Sequence, residues 1–157
     1  MKLTHIVAER GFAITGEVAP PKGADPSDAL AEARELARHV DAVNVTDGQG
    51  AVMRMAPIAL ARLMIEESIV PIWQTTCRDR NRIALQANLL AAEALGVQNA
   101  LILTGDHMVL GDHPDAKPVF GLDSVQLLHV AARMRGGYDL AGNELSAPLH
   151  LCTGAVV

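Results

Sequence analysis

Five short aliphatic runs alternate with longer segments whose apolar residues recur at helical spacing. This alternation limits the fold more than any other property of the chain. The runs cover residues 12–16 (FAITG), 42–46 (AVNVT), 69–75 (IVPIWQT), 100–104 (ALILT) and 148–153 (PLHLCT). Each has the length of a buried strand. Strands alternating with amphipathic helices imply a parallel sheet with right-handed crossovers. Both an open doubly wound sheet and part of a (β/α)8 barrel meet that requirement. A full barrel usually takes about 250 residues. The 157 residues therefore suit a single α/β domain, either about half of a TIM-type barrel or a small open sheet.

The helix boundaries have their own signals. Asp25 and Pro26 place an N-cap and a first-turn proline before an apolar face of Leu30, Ala33, Leu36, Ala37 and Val40. Pro57 opens a second helix over residues 57–67. A third is expected over 79–95, with Ile83, Ala87, Leu90, Ala91 and Ala94 on its inner side and Gly96 as its stop. Asp123 with Gln126 resembles a capping box for a fourth, closed by Gly136 and Gly137.

Composition excludes several classes of function. Half of the residues are hydrophobic and a fifth are charged, so the chain can build a core. The net charge of -5, with no basic patch, argues against nucleic acid as a partner. No apolar run approaches the roughly 20 residues needed to cross a bilayer. Glu9 and Arg10 interrupt the N-terminus, which does not read as an export signal. Cys77 and Cys152 are too few for a disulfide framework. Reduced thiols and a cytoplasmic location are expected.

Polar residues gather where the strands end. Glu17 follows the first strand, and Thr46 and Asp47 the second. Gln74, Thr76 and Cys77 end the third, and Thr104, Gly105 and Asp106 the fourth. In a parallel sheet these ends share one edge, where such folds build their sites. Glu17 lies between Gly16 and the VAPP segment. An apolar frame there is expected to raise its pKa and suit it to general acid work. The loop after Asp106 adds His107, Asp112, His113, Asp115 and Lys117. Their spacing matches no metal pattern, so a solvated loop and no metal is the expectation. Cys77 beside Arg78 and Arg80 lacks a partnering base, so packing is its expected role. No phosphate loop and no GxGxxG follows the first strand.

The segments GEVAPP (16–21), NVT (44–46), TC (76–77), LTGD (103–106) and FGLD (120–123) occur in an order and spacing that resemble the methylenetetrahydrofolate reductase family. CRDRNR (77–82) and GDHP (111–114) look like a bacterial branch of it. The resemblance implies a (β/α)8 barrel carrying FAD across the C-terminal strand ends. NADH or NADPH would reduce the flavin. The flavin would then reduce 5,10-methylenetetrahydrofolate, the folate substrate, to 5-methyltetrahydrofolate. By resemblance, Glu17 and Asp106 are catalytic. Glu17 is the acid that opens the folate ring to an iminium, and Asp106 the carboxylate beside the flavin. Thr46, Leu103, Thr104, Gly105, Phe120 and Gly121 match flavin-contacting positions, with Asp123 closing the same segment. Gln74 stands where many members carry a histidine near the flavin, and Asp47 where many carry an aromatic residue. The resemblance covers the first half of that barrel. The expectation is either a truncated form or a half-barrel that a homo-oligomer or a partner chain completes. The alternative is a non-catalytic half-barrel that binds folate or flavin.

Overall fold

The five strands lie side by side in chain order, and every pairing is parallel. In the computed structural model, which describes residues 1–156, they are β1 (Thr15–Val18), β2 (Ala42–Val45), β3 (Pro71–Thr76), β4 (Asn99–Leu103) and β5 (Cys152–Ala155). The helices are α1 (Leu3–Arg10), α2 (Ser27–Leu36), α3 (Pro57–Glu66), α4 (Arg82–Ala94) and α5 (Ser124–Arg135). A doubly wound sheet reverses its strand order at a switch point. This sheet never reverses. Successive right-handed crossovers then set α2 to α5 on one side, as in a barrel wall. The wall does not close. Among the described residues, β1 pairs only with β2 and β5 only with β4.

Strand alternation divides the side chains between two faces. Val18, Val43, Val45, Trp73, Ala100 and Ile102 point toward the helices and are buried. Leu60 and Met64 of α3, Leu85 and Leu89 of α4, and Leu127 and Met134 of α5 pack on them. Register puts Glu17 beside Asn44, Gln74 beside Leu101, and Thr76 beside Leu103 on the opposite face.

Local chemistry accounts for most helix starts. In α5 the Asp123 carboxylate accepts from the Gln126 amide, and the Gln126 side chain accepts from the Asp123 amide. In α4 the Asn81 side chain accepts from the amides of Ile83 and Ala84. Pro57 is the first residue of α3. Asp25 accepts from the Ser27 amide, while Pro26 takes the cap position of α2.

Several expectations shift. The first strand forms at Thr15–Val18 rather than over residues 12–16, leaving Phe12 and Ile14 exposed. The fifth forms at Cys152–Ala155 rather than over 148–153. There, Leu149 and Leu151 sit in the core and the Leu149 amide bonds Met134 instead of a strand. Helix α4 turns Leu85, Leu89 and Ala92 inward, and Ile83 is 78% exposed. The α4 sequence carries two apolar stripes, and the outer one was the expected face. Helix α1 has no counterpart in the expected pattern. It is held by Asn99, which accepts from the Leu3 amide at 2.8 Å and donates to the Met1 carbonyl at 3.0 Å. No described helix is long and apolar enough to cross a membrane.

Candidate active site

A cleft of about 400 Å³ opens at the C-terminal strand ends. Glu17, Thr46, Gln74, Leu103, Thr104, Gly105 and Asp106 all line it. Four strands therefore contribute to one space. The unbroken parallel order causes this, because every β-to-α loop leaves the sheet on the same edge.

Glu17 is exposed, and its carboxylate accepts from Gln74 Nε2 at 3.2 Å. The expected apolar frame does not enclose it. Val18, its sequence neighbour, points to the opposite face, as strand alternation requires. Gln74 also reaches Asn44 Oδ1 at 3.5 Å, so one amide joins three neighbouring strands.

The loop after β4 comes close to the end of β3. Gly105 has φ +97°, and a Cβ there would stand 3.0 Å from that of Thr76 and 3.1 Å from that of Arg78. Only glycine meets both demands. Asp106 Oδ2 accepts from the Gly50 amide at 2.8 Å. The Thr104 hydroxyl is bonded to the amide and hydroxyl of Ser124 at the start of α5. Thr46 differs from these. It is 2% exposed, and its hydroxyl has no partner among the described residues.

Two ion pairs build the rim, and the sequence assigns neither arginine a place in the site beyond its proximity to Cys77 and the CRDRNR resemblance. Asp47 is buried and accepts from Arg80 Nη1 at 2.6 Å and Nη2 at 3.2 Å, and from the Thr76 amide at 2.8 Å. Arg78 is buried too, and pairs through Nε and Nη2 with Asp79. A charge pattern of D-to-R across two loops is a weak signal in sequence, because loop residues pair freely.

Other singled-out residues lie elsewhere. The Phe120 ring stacks on His107 with centroids 6.2 Å apart. The Gly121 carbonyl accepts from Arg82 Nε, and Asp123 caps α5. None of these three lines the cleft. Asp112 accepts from Lys22 Nζ, the Met53 amide and His113 Nδ1. Lys22 above all holds its carboxyl well below the usual range. His107 Nδ1 accepts from the Val109 amide. Among the described residues no three metal-ligating side chains form a group. Cys77 points into the helix-side core, and burial pushes its thiol up to about 11. That is the inert, packed role expected for it, since thiolate is the reactive form.

No curated protein matches the chain. The family model described as methylenetetrahydrofolate reductase matches residues 2–134. That span holds β1 to β4 and every cleft residue discussed above. With so much of its length matched, the chain belongs to the methylenetetrahydrofolate reductase family.

Proposed function

We propose that the cleft binds FAD, and that the protein uses it to reduce 5,10-methylenetetrahydrofolate with NADH or NADPH as the electron donor. The convergence of Glu17, Gln74, Thr104 and Asp106 with Thr46 on one cleft carries this reading, and the buried Thr46 hydroxyl there has no partner among the described residues. Leaving such a group unsatisfied costs about 1–3 kcal/mol. A turn of the Thr46 side chain toward the polar ring edge of a ligand would remove that cost. Bound flavin would supply the hydride, which no side chain can carry.

Thr46, Gln74, Gly105 and Asp106 are the groups positioned to hold the polar edge, with Leu101 and Leu103 as an apolar floor. Thr104 supports the loop from behind, through Ser124. Phe120, Gly121 and Asp123 lie at the far end of the loop that begins with Thr104. Their part is to shape it rather than to line the cleft. The carboxylate of Asp106, fixed by the Gly50 amide, places negative charge beside the cofactor. Glu17 is the proton donor to the folate ring nitrogen. Its exposure lets substrate reach it, and Gln74 Nε2 fixes the direction of the carboxyl.

The test is to measure the two half-reactions of Glu17→Gln separately, in flavin-loaded protein. Flavin reduction by the nicotinamide stays near wild type, while folate reduction falls about 10²–10⁴-fold, the usual contribution of a positioned acid. Equal loss in both half-reactions would contradict the role.

One observation favours a second reading. The outer edges of β1 and β5 carry no partner strand among the described residues. Such edges accept strands from another chain or a second copy. In that reading the protein is a binding module. It would take up flavin or folate, with turnover appearing only on addition of the partner.

A further inference from the structure

We infer that Arg78 is the positioning residue for the cleft carboxylate Asp106, which it holds by pinning together the loops that follow β2, β3 and β4. The inference takes the importance of Asp106 from the flavin reading. The clamp itself stands on contacts within the chain.

Arg78 is 4% exposed. Its guanidinium divides its donors among three loops. Nε and Nη2 hold the Asp79 carboxylate at 2.9 and 2.8 Å. Nη1 donates to the Gly48 carbonyl at 3.1 Å, with a longer 3.5 Å contact to the Asp106 carbonyl. The Asp106 carboxylate in turn accepts from the Gly50 amide at 2.8 Å. These contacts form a closed ring. Arg78 holds the Gly48 end of the loop after β2, that loop holds the Asp106 side chain, and Arg78 also touches the Asp106 main chain.

Two glycines make room for the side chain. At Gly48 (φ +59°) a Cβ would stand 2.6 Å from Arg78 Nη2, and at Gly105 one would stand 3.1 Å from the Arg78 Cβ. A planar fork with five donors can satisfy a carboxylate and two carbonyls at once, whereas an ammonium cannot reproduce that geometry. A misplacement of about 1 Å at a reacting centre can cost about 100-fold in rate. Holding Asp106 at both its main chain and its side chain is therefore a functional matter.

The test is amide hydrogen exchange on the ligand-free chain, comparing wild type with Arg78→Lys. Exchange should accelerate in residues 48–50 and 104–106, while β3 and β4 keep their protection. Asp79→Asn keeps the guanidinium but loosens its grip. It should show the same pattern at smaller amplitude, and it serves if the lysine variant does not fold. A FAD titration should show affinity falling about tenfold in Arg78→Lys, as expected for losing hydrogen bonds to a charged group. Uniformly faster exchange through β3 and β4, or unchanged exchange in both loops, would overturn the inference. If the loops loosen as described and wild type takes up no FAD, the clamp stands and the cofactor reading falls.

Discussion

On the helix side of the sheet, Val18, Val43, Val45, Trp73, Ala100 and Ile102 are each at most 3% exposed. On the other side, Glu17 is open to solvent, and Asn44, Leu101 and Leu103 are only partly covered. The same strands supply both sets, one residue out of step. Parallel sheets are normally covered on both faces. Here one face is packed by helices, and the other mixes Ile72, Leu101 and Leu103 with polar groups such as Asn44 and Gln74. Stability is thus concentrated on one face and the proposed chemistry lies on the other, so substitutions at adjacent positions should have different consequences.

The largest expected effect is on the packed side. Trp73→Ala should destabilise the fold by about 3–5 kcal/mol, because it leaves a large cavity among fully buried neighbours. Denaturant titration reads this as a lower midpoint with an unchanged slope. Asp47→Ala sharpens the comparison, because Asp47 lines the cleft yet is built like a core residue. Its removal strands Arg80 and leaves the Thr76 amide unpaired. A loss of about 3 kcal/mol is expected, the low end for breaking a buried pair because Arg80 is partly exposed. A loss below about 1 kcal/mol would return Asp47 to the chemical face. Glu17→Gln should sit at the other extreme, within about 0.5 kcal/mol of wild type. A larger loss would break the division between the faces.

The smallest effect concerns acid. Asp112 ties the loop after β4 to Lys22 and to the Met53 amide. Its folded pKa lies below the ordinary 3.8. Its stabilising contribution is therefore complete above that value and is lost as pH falls below it. Amide exchange in residues 108–116, corrected for its intrinsic slowing in acid, should rise selectively on acidification below about pH 4, before the core strands open. Exchange that stays flat until global unfolding would show that the tie does not order the loop.

How much of this was readable in advance depended on how local each determinant is. The Asp123–Gln126 box and the Pro57 start lie within one turn of the helix they open, and both formed as read. The convergence of Glu17, Thr46, Gln74 and Asp106 followed from parallel topology alone. The inner face of α4 did not follow, because Leu85 and Leu89 compete with Ile83 and Leu90 at equally good spacing. Only packing against the sheet decides between such stripes. Helix α1 is anchored by Asn99, 96 residues beyond Leu3, and nothing near it in sequence announces that contact. The Arg78 ring joins residues 48, 78 and 106, and so it becomes visible only once the loops are in place.

The central claim is that the unpartnered Thr46 hydroxyl and its neighbours form a flavin seat. A FAD titration of wild type against Thr46→Val tests it most directly. Valine keeps the shape and removes the hydroxyl, so the ligand-free variant should be as stable as wild type or slightly more so. The account predicts saturable binding by wild type and about five- to tenfold weaker binding by the variant, the worth of one hydrogen bond. No binding by wild type, or equal binding by both proteins, would contradict it.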